Sequence, residues 1–479
     1  MTNKKMAVLA LMMACVILLA PLAGCRRAVE VSSGYDELES FIYIDDDTSS
    51  SVSDTDVSDN NSKTPGKNNN NSNTSGGSSK APESNTSDLE KTEVSGLPKS
   101  LKNPKITLAS WYDPGSKDKT TAFYWAVQKY QELYGKNTIN LVITANKADT
   151  YKARIVAMLA GNDAPELMEV KTQWMPSFAQ EKLIQPVDGI VDYSKLHYQG
   201  LIRTTSINGK HYVGCPNGMW STVLWYNKAL FTKYGVKTPG EHYKENNWTW
   251  ETFKETARQM TTGNVVGFST DSIDTLLRSQ KNDLVIKNSD GSLTSNMKST
   301  EVSSALQMTY DMIYTYKCWN PDLAYARLNF SKGKVAMSSG VIGFFQNYCD
   351  GMDMSDIDCV PLPKPSKSAD YYGAAYGIFW GIGAGCDNVE GASAFLKILA
   401  QYEDADFGKR TPLERVLNDE QLKMTRTISE NAGTMVYQSL SSWNYDEFWK
   451  EFSTQNVPVA TIISKYEPLV QNAINQLQK

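Results

Sequence analysis

Ile106-Thr-Leu-Ala-Ser110 runs directly into Trp111-Tyr112-Asp113-Pro114-Gly115, and the reading of this junction decides the fold. The first five residues form a short apolar, β-leaning run, and Asp-Pro-Gly is turn chemistry, so a strand ends near Ser110. Next come Phe123, Val127, Tyr130, Leu133 and Tyr134, at helical spacing and closed by Gly135. Ile139 to Thr144 reads as a second strand. Tyr151 to Leu159 reads as a second helix stopped by Gly161-Asn162-Asp163, and Leu167 to Val170 as a third strand. Strands alternating with helices predict βαβ units around a mostly parallel sheet. Ligands of such sheets sit beyond the carboxyl ends of the strands, where Trp111 and Trp174 fall.

Farther on, Thr249 is placed to cap a helix, with Trp248 and Phe253 at the two positions of a hydrophobic staple. Asp387-Asn388-Val389-Glu390 resembles a capping box ahead of Ala392, Phe395, Leu396 and Leu399. Val459 to Gln478 is helical in pattern. The chain has no convincing internal repeat.

Upstream, Lys4 and Lys5 precede an apolar run from Met6 to Ala20, then Leu22-Ala23-Gly24-Cys25. This is the layout of a secretory signal peptide, too short for a span of ~20 residues. The last four residues resemble the lipobox of bacterial lipoproteins. That resemblance implies residues 1–24 as signal peptide, acylation of Cys25, and a cell-membrane location, lipid-anchored on the extracellular face. From Asp45 to Ser100 the chain is nearly bare of apolar side chains, as in Asn68-Asn69-Asn70-Asn71. Such composition cannot bury enough surface to offset the entropy of ordering, so 25–103 is expected to be a disordered linker. As a flexible coil its ~78 residues reach roughly 45–55 Å, a stalk suited to a thick-walled, Gram-positive bacterium.

The remaining ~376 residues exceed one ordinary core and suit two lobes. A net charge of −5 without a basic, aromatic-laced patch argues against nucleic acid. Of seven cysteines, Cys215, Cys318, Cys349, Cys359 and Cys386 lie in this part, none in a C-x-x-C pair. Zinc is therefore disfavoured, and the disulfide pairing stays open. No cofactor is expected.

Four segments carry a resemblance. Ala157-Met-Leu-Ala-Gly161-Asn-Asp-Ala-Pro165-Glu-Leu-Met is one. Trp225-Tyr-Asn-Lys228-Ala-Leu-Phe231, with Gly235-Val236 and Trp250-Glu251-Thr252-Phe253, is the second. Phe330-Ser-Lys-Gly333-Lys-Val-Ala336-Met337 is the third, and Gly377-Ile378 through Leu399 the fourth. In this order behind a lipobox, they resemble the bacterial extracellular solute-binding proteins of sugar-importing ABC transporters, the maltose-binding-protein-like family. The resemblance implies an α/β, two-lobed periplasmic-binding-protein-like fold with hinge strands crossing between lobes. Lobe 1 would be 104–222 plus 371–407, and lobe 2 would be 223–370 plus 408–479. It implies a monomer that closes on a carbohydrate and hands it to the permease subunits of an ABC transporter.

The eleven tryptophans suit that expectation, because sugars offer flat C–H faces to aromatic rings and hydroxyls to Asp, Asn or Gln. The expected ligand-binding residues are Trp111 and Tyr112 after the first strand, and Gln173 and Trp174 after the third. Trp220 stands ahead of the crossover strand, where the family's maltose-binding members carry a ligand-contacting acid. Asp271 and Asp274 follow Gly267-Phe268-Ser269-Thr270; Phe344 and Phe345 follow Gly340; Tyr372 and Tyr376 flank the returning strand; Trp443 would cap the site. The missing acids put maltose itself in doubt, and the aromatic surplus suggests an oligosaccharide. Trp125, Trp225, Trp248, Trp250, Trp319 and Trp449 are assigned to packing.

A surface glycosidase is the main rival, since two carboxylates suffice for that chemistry. Only three histidines occur, none in H-E-x-x-H, and there is no G-x-S-x-G, so no catalytic residues are assigned. The other rival is a same-fold receptor for a non-sugar solute.

Overall fold

The computed structural model describes residues 87–477, except 145–147, 162, 198, 203–204, 208, 271–272, 282, 289–291, 323, 342–347, 350, 407–416 and 432–442. The signal peptide, Cys25 and most of the expected linker lie outside the described residues.

The ordered chain opens with α1 (Ser87–Glu90), then β1 (Ile106–Ser110) and α2 (Ala122–Tyr134). β2 (Ile139–Ile143), α3 (Ala148–Ala160), β3 (Leu167–Lys171) and α4 (Met175–Gln180) follow. β1, α2, β2, α3 and β3 are the expected βαβ units, within a few residues at each end. Thr121 caps α2 by accepting from Tyr124 N–H, and Gly135 takes the positive φ (113°) that ends it. β1 pairs in parallel with both β2 and β3.

Short β4 (Ile184–Gln185) and the hairpin β5 (Ser206–Ile207) and β6 (Lys210–His211) lead to β7 (Pro216–Ser221). After one residue, Thr222, the chain enters a second sheet at β8 (Val223–Asn227). That sheet is completed by β9 (Val266–Ser269), which follows α5 (Trp250–Met260), and by β12 (Trp319–Asn320), β13 (Val335–Gly340) and β14 (Ile357–Val360). A separate ribbon, β10 (Val285–Lys287) with β11 (Leu293–Ser295), follows α6 (Thr275–Arg278). β15 (Ala375–Gly383) then returns to the first sheet, antiparallel to β3, β4 and β7. The strand orders are β2-β1-β3-β15-β4, with β7 on β15, and β12-β9-β13-β8-β14. Two chain crossings, at Thr222 and between β14 and β15, thus join two α/β sheets.

Toward the C-terminus come α7 (Val389–Asp406), α8 (Asp419–Asn431), α9 (Tyr445–Thr454) and α10 (Val459–Leu477). α7 lies on the first sheet against α2, while α10 packs on β11. α8 touches both halves. Ser221 Oγ in β7 donates to Thr425 O at 2.9 Å, and the Gln199 N–H donates to Glu430 Oε2 at 3.1 Å. Gln421 Nε2 donates to Asp358 Oδ1 in β14 at 2.5 Å.

Local signals behaved as elementary chemistry predicts. The Trp248 and Phe253 rings meet edge-on at 5.8 Å, and Thr249 accepts from Thr252 N–H, completing staple and cap. Trp225, Trp248, Trp250, Trp319 and Trp449 are buried and Trp125 is half-buried.

Two expectations are corrected. The cap of α7 is Asn388, whose Oδ1 accepts from Gly391 N–H, one residue later than expected; Glu390 accepts instead from Lys102 N–H. The linker also stops short of residue 103. Leu89 is buried, Val94, Leu97 and Leu101 pack on the core, and Ser95 exchanges hydrogen bonds with Gln401. Four apolar side chains spaced along a polar segment were enough to strap residues 89–101 onto the first sheet's helices.

Candidate ligand-binding site

β1 and β3 lie side by side, so the residues just past their carboxyl ends meet. Ring centroids of Trp111 and Tyr112 are 5.2 Å apart, and those of Trp111 and Trp174 are 5.4 Å apart at 61°. Trp174 is held further by Phe178 and Tyr151, stacked at 5.9 and 6.1 Å. Tyr151 is itself pinned, donating to Ala109 O and Glu169 O at 3.1 and 2.9 Å. Burial drives its phenol pKa far above the ordinary value, so it stays a donor.

Within this wall the residues divide by exposure. Trp111 is only 2% exposed, and its Nε1–H has no hydrogen-bond partner among the described residues. Tyr112, Gln173 and Trp174 are half-buried. Trp111 is therefore the backing of the wall, and Tyr112, Gln173 and Trp174 are its accessible face. Thr172 ties the wall to β15: its N–H donates to Gly377 O at 2.9 Å. On the adjacent strand pair, Trp220 stands opposite Tyr376 in register, though the side chains of both lie outside the described residues. Tyr372 is half-buried in the segment entering β15.

In the second sheet the carboxyl ends of β9 and β13 form a buried hydroxyl cluster. Ser339 Oγ lies 2.8 Å from Thr270 Oγ1 and 2.5 Å from Thr275 Oγ1. Asp274, expected at the ligand, is almost fully buried and already engaged. Its Oδ1 lies 2.6 Å from Arg278 Nε, and its Oδ2 accepts from Tyr445 Oη. Trp443, expected as a cap, is 6% exposed and packs on Tyr445, Phe448 and Tyr466. Asp271, Phe344 and Phe345 lie outside the described residues.

Sequence reading missed Glu169, Lys171, Tyr151, Phe178, Arg278 and Tyr445. The first two had a legible signal: charges two residues apart inside a buried strand project from one face. Among the described residues no group of three or more His, Cys, Asp or Glu could hold a metal ion. His211, in the expected hairpin, lies 3.1 Å from Asp188 and stacks on Tyr193 at 3.9 Å, a structural setting. The five cysteines are free thiols, four of them buried.

Two lobes joined by crossing strands, with an aromatic wall at the strand ends, define a hinged solute-binding fold. Residues 125–406, more than half of the chain, match the family described as bacterial extracellular solute-binding protein. The chain belongs to that family. That family is one of solute-binding proteins and not of enzymes, which removes the glycosidase reading.

Among solved structures, a cyclo/maltodextrin-binding protein complexed with maltotetraose matches with a TM-score of 0.61 at 14% identity, covering 81% of this chain and 100% of that one. UgpB from Mycobacterium tuberculosis, in complex with glycerophosphocholine, matches with a TM-score of 0.59 at 15% identity, covering 78% and 98%. Likeness at this identity is likeness of fold. By sequence, an arabinooligosaccharide-binding protein of Halalkalibacterium halodurans is 24% identical over 201 residues, 40% of this chain and 43% of that protein. The chain spans about a third of the length, 36%, of the first curated relatives it matches, binding proteins from Brucella at 30% identity.

Proposed function

We propose that the protein is a lipid-anchored extracellular receptor that binds a carbohydrate, of oligosaccharide length, between its two lobes and delivers it to ABC-transporter permease subunits. The observation that carries this is the preassembled aromatic wall of Trp111, Tyr112 and Trp174 at the carboxyl ends of β1 and β3. A rigid aromatic face loses little entropy on binding and matches the C–H face of a sugar ring. Tyr112, Gln173 and Trp174 are its contacting members in this reading, with Trp220, Tyr372 and Tyr376 as further contacts from the first lobe and Asp271, Phe344 and Phe345 as contacts from the second. Asp274 and Trp443 support the second lobe from within.

The lobe division is 104–222 plus 371–407 against 223–370 plus 408–479, with the 89–101 strap added to the first. Closure then follows from a ligand that touches both lobes, since only contacts that differ between open and closed states shift the equilibrium. The receptor acts as a monomer, tethered through Cys25. The second reading, a non-sugar solute in the same cleft, is favoured by the glycerophosphocholine complex of one structural neighbour.

Thermal shift across maltotetraose, an arabinooligosaccharide, glycerophosphocholine, a peptide and a polyamine separates these. Ligand at ~100 times its Kd adds about 2.7 kcal/mol, a shift of a few degrees. A shift confined to glycans and lost in Trp174→Ala supports the proposal. A shift with glycerophosphocholine alone moves the chain to the second reading.

A further inference from the structure

β3 is buried along its whole length, yet it carries Glu169 and Lys171, 0% and 3% exposed. Buried charges are costly unless partnered, so each needs an account. Glu169 accepts a hydrogen bond from Ser110 Oγ, and that same oxygen accepts from Tyr112 N–H at 3.1 Å. The carboxylate thereby fixes the turn that presents Trp111 and Tyr112. Lys171 lies on the same face, two residues on. Its Nζ stands 4.5 Å from the Trp174 ring centroid and 5.4 Å from that of Trp111. One ammonium is thus shared by two indoles that come from different loops and stand at 61° to each other. Attraction between a desolvated cation and a ring face is directional, so it resists rotation of either ring.

We propose that Lys171 is the positioning residue of the first-lobe wall. It holds Trp111 and Trp174 in their mutual orientation and so sets affinity for a carbohydrate. The Glu169–Ser110 bond does the corresponding work on the backbone side. This deepens the carbohydrate reading and, for its affinity arm, rests on it.

The test uses the full chain purified in detergent, with Lys171→Met, which keeps the aliphatic stem, and Lys171→Arg, which keeps a cation. In the unliganded protein, near-ultraviolet circular dichroism of K171M is expected to lose part of its tryptophan signal while K171R keeps it. Calorimetric Kd values for maltotetraose and an arabinooligosaccharide are expected to weaken roughly tenfold in K171M and less than about twofold in K171R. A K171M protein with wild-type near-ultraviolet spectrum and wild-type Kd overturns the proposal. So does a K171R protein as impaired as K171M, because a cation would then not be what matters. Lys171→Gln replaces K171M if that variant shows no cooperative unfolding. Failure of the wild-type chain to bind either glycan counts against the carbohydrate reading, and the spectra then decide the positioning role by themselves.

Discussion

Asp274, just ahead of α6, and Arg278, its last residue, form a buried ion pair, joined from α9 by the Tyr445 hydroxyl. Removing one partner leaves the other charged and unsolvated, which costs about 3–5 kcal/mol. Asp274→Ala should therefore lower the urea midpoint strongly, whereas Asp274→Leu with Arg278→Met should recover most of the loss. Equal midpoints for the single and double variants would refute this account. The thiols make a second case. Desolvation pushes Cys386 up to about 11 and Cys318 and Cys349 up to about 12, and raises Cys215 and Cys359 well above the ordinary value. Thiolate is the reactive form. Ellman's reagent at pH 8 should react slowly with the native protein, half-buried Cys386 leading, and should count five thiols beyond Cys25 in urea once the signal peptide is removed.

Among elements, ends and straps are the sensitive places. Thr249 and Asn388 each satisfy an otherwise unpaired helix N–H, so Thr249→Ala and Asn388→Ala should each cost about 1 kcal/mol, read from equilibrium unfolding. The 89–101 strap is held by Leu89 and by backbone bonds to Gln401 and Tyr134, and Lys102, just after it, donates to Glu390. Limited trypsin treatment should trim the chain N-terminal to the strap and spare Lys91, Lys99 and Lys102. Leu89→Ala should open Lys91 first. Equal cleavage at Lys91 with and without Leu89 would mean that the strap does not depend on this anchor.

For the whole molecule, acid–base linkage sets the pH of greatest stability. Desolvation pushes Asp283 up to about 7, reinforced by Asp274, and pushes Glu403 up to about 8, reinforced by Asp406. Their ordinary values are 3.8 and 4.5, so folded protein holds protons that unfolded chain releases. Their contribution is fully present below about pH 4 and is lost as pH rises through 7 and 8. Hydrogen bonds from Thr238 hold Glu241 below its ordinary value, and hydrogen bonds from Lys465 and Tyr466 do the same for Glu451; this stability is lost as pH falls through their lowered values. The urea midpoint at pH 5.5 should exceed that at pH 8.5, and Asp283→Asn with Glu403→Gln should narrow the gap. An unchanged gap would show that other groups govern the slope. α8 belongs to this scale too, because its hydrogen bonds reach β7 on one side of the crossing and β14 on the other.

Periodicity and turn residues determined the βαβ order, the long terminal helix and the position of Trp111 and Trp174 beyond strand ends, and cap and staple residues determined the helix that Thr249 opens. These are local properties, written in spacing and turn residues that the chain cannot satisfy any other way. Motif order pointed to the family. What sequence could not reveal was exposure. Trp111 and Trp174 read alike in the chain, yet one is backing and the other is face, because packing leaves Trp111 2% exposed and Trp174 half-buried. Asp274 read as a ligand contact, and only the fold brought Tyr445, 171 residues away, to its carboxylate. Burial and charge pairing depend on contacts between distant segments, and those exist only once both sheets and the helices across them have assembled.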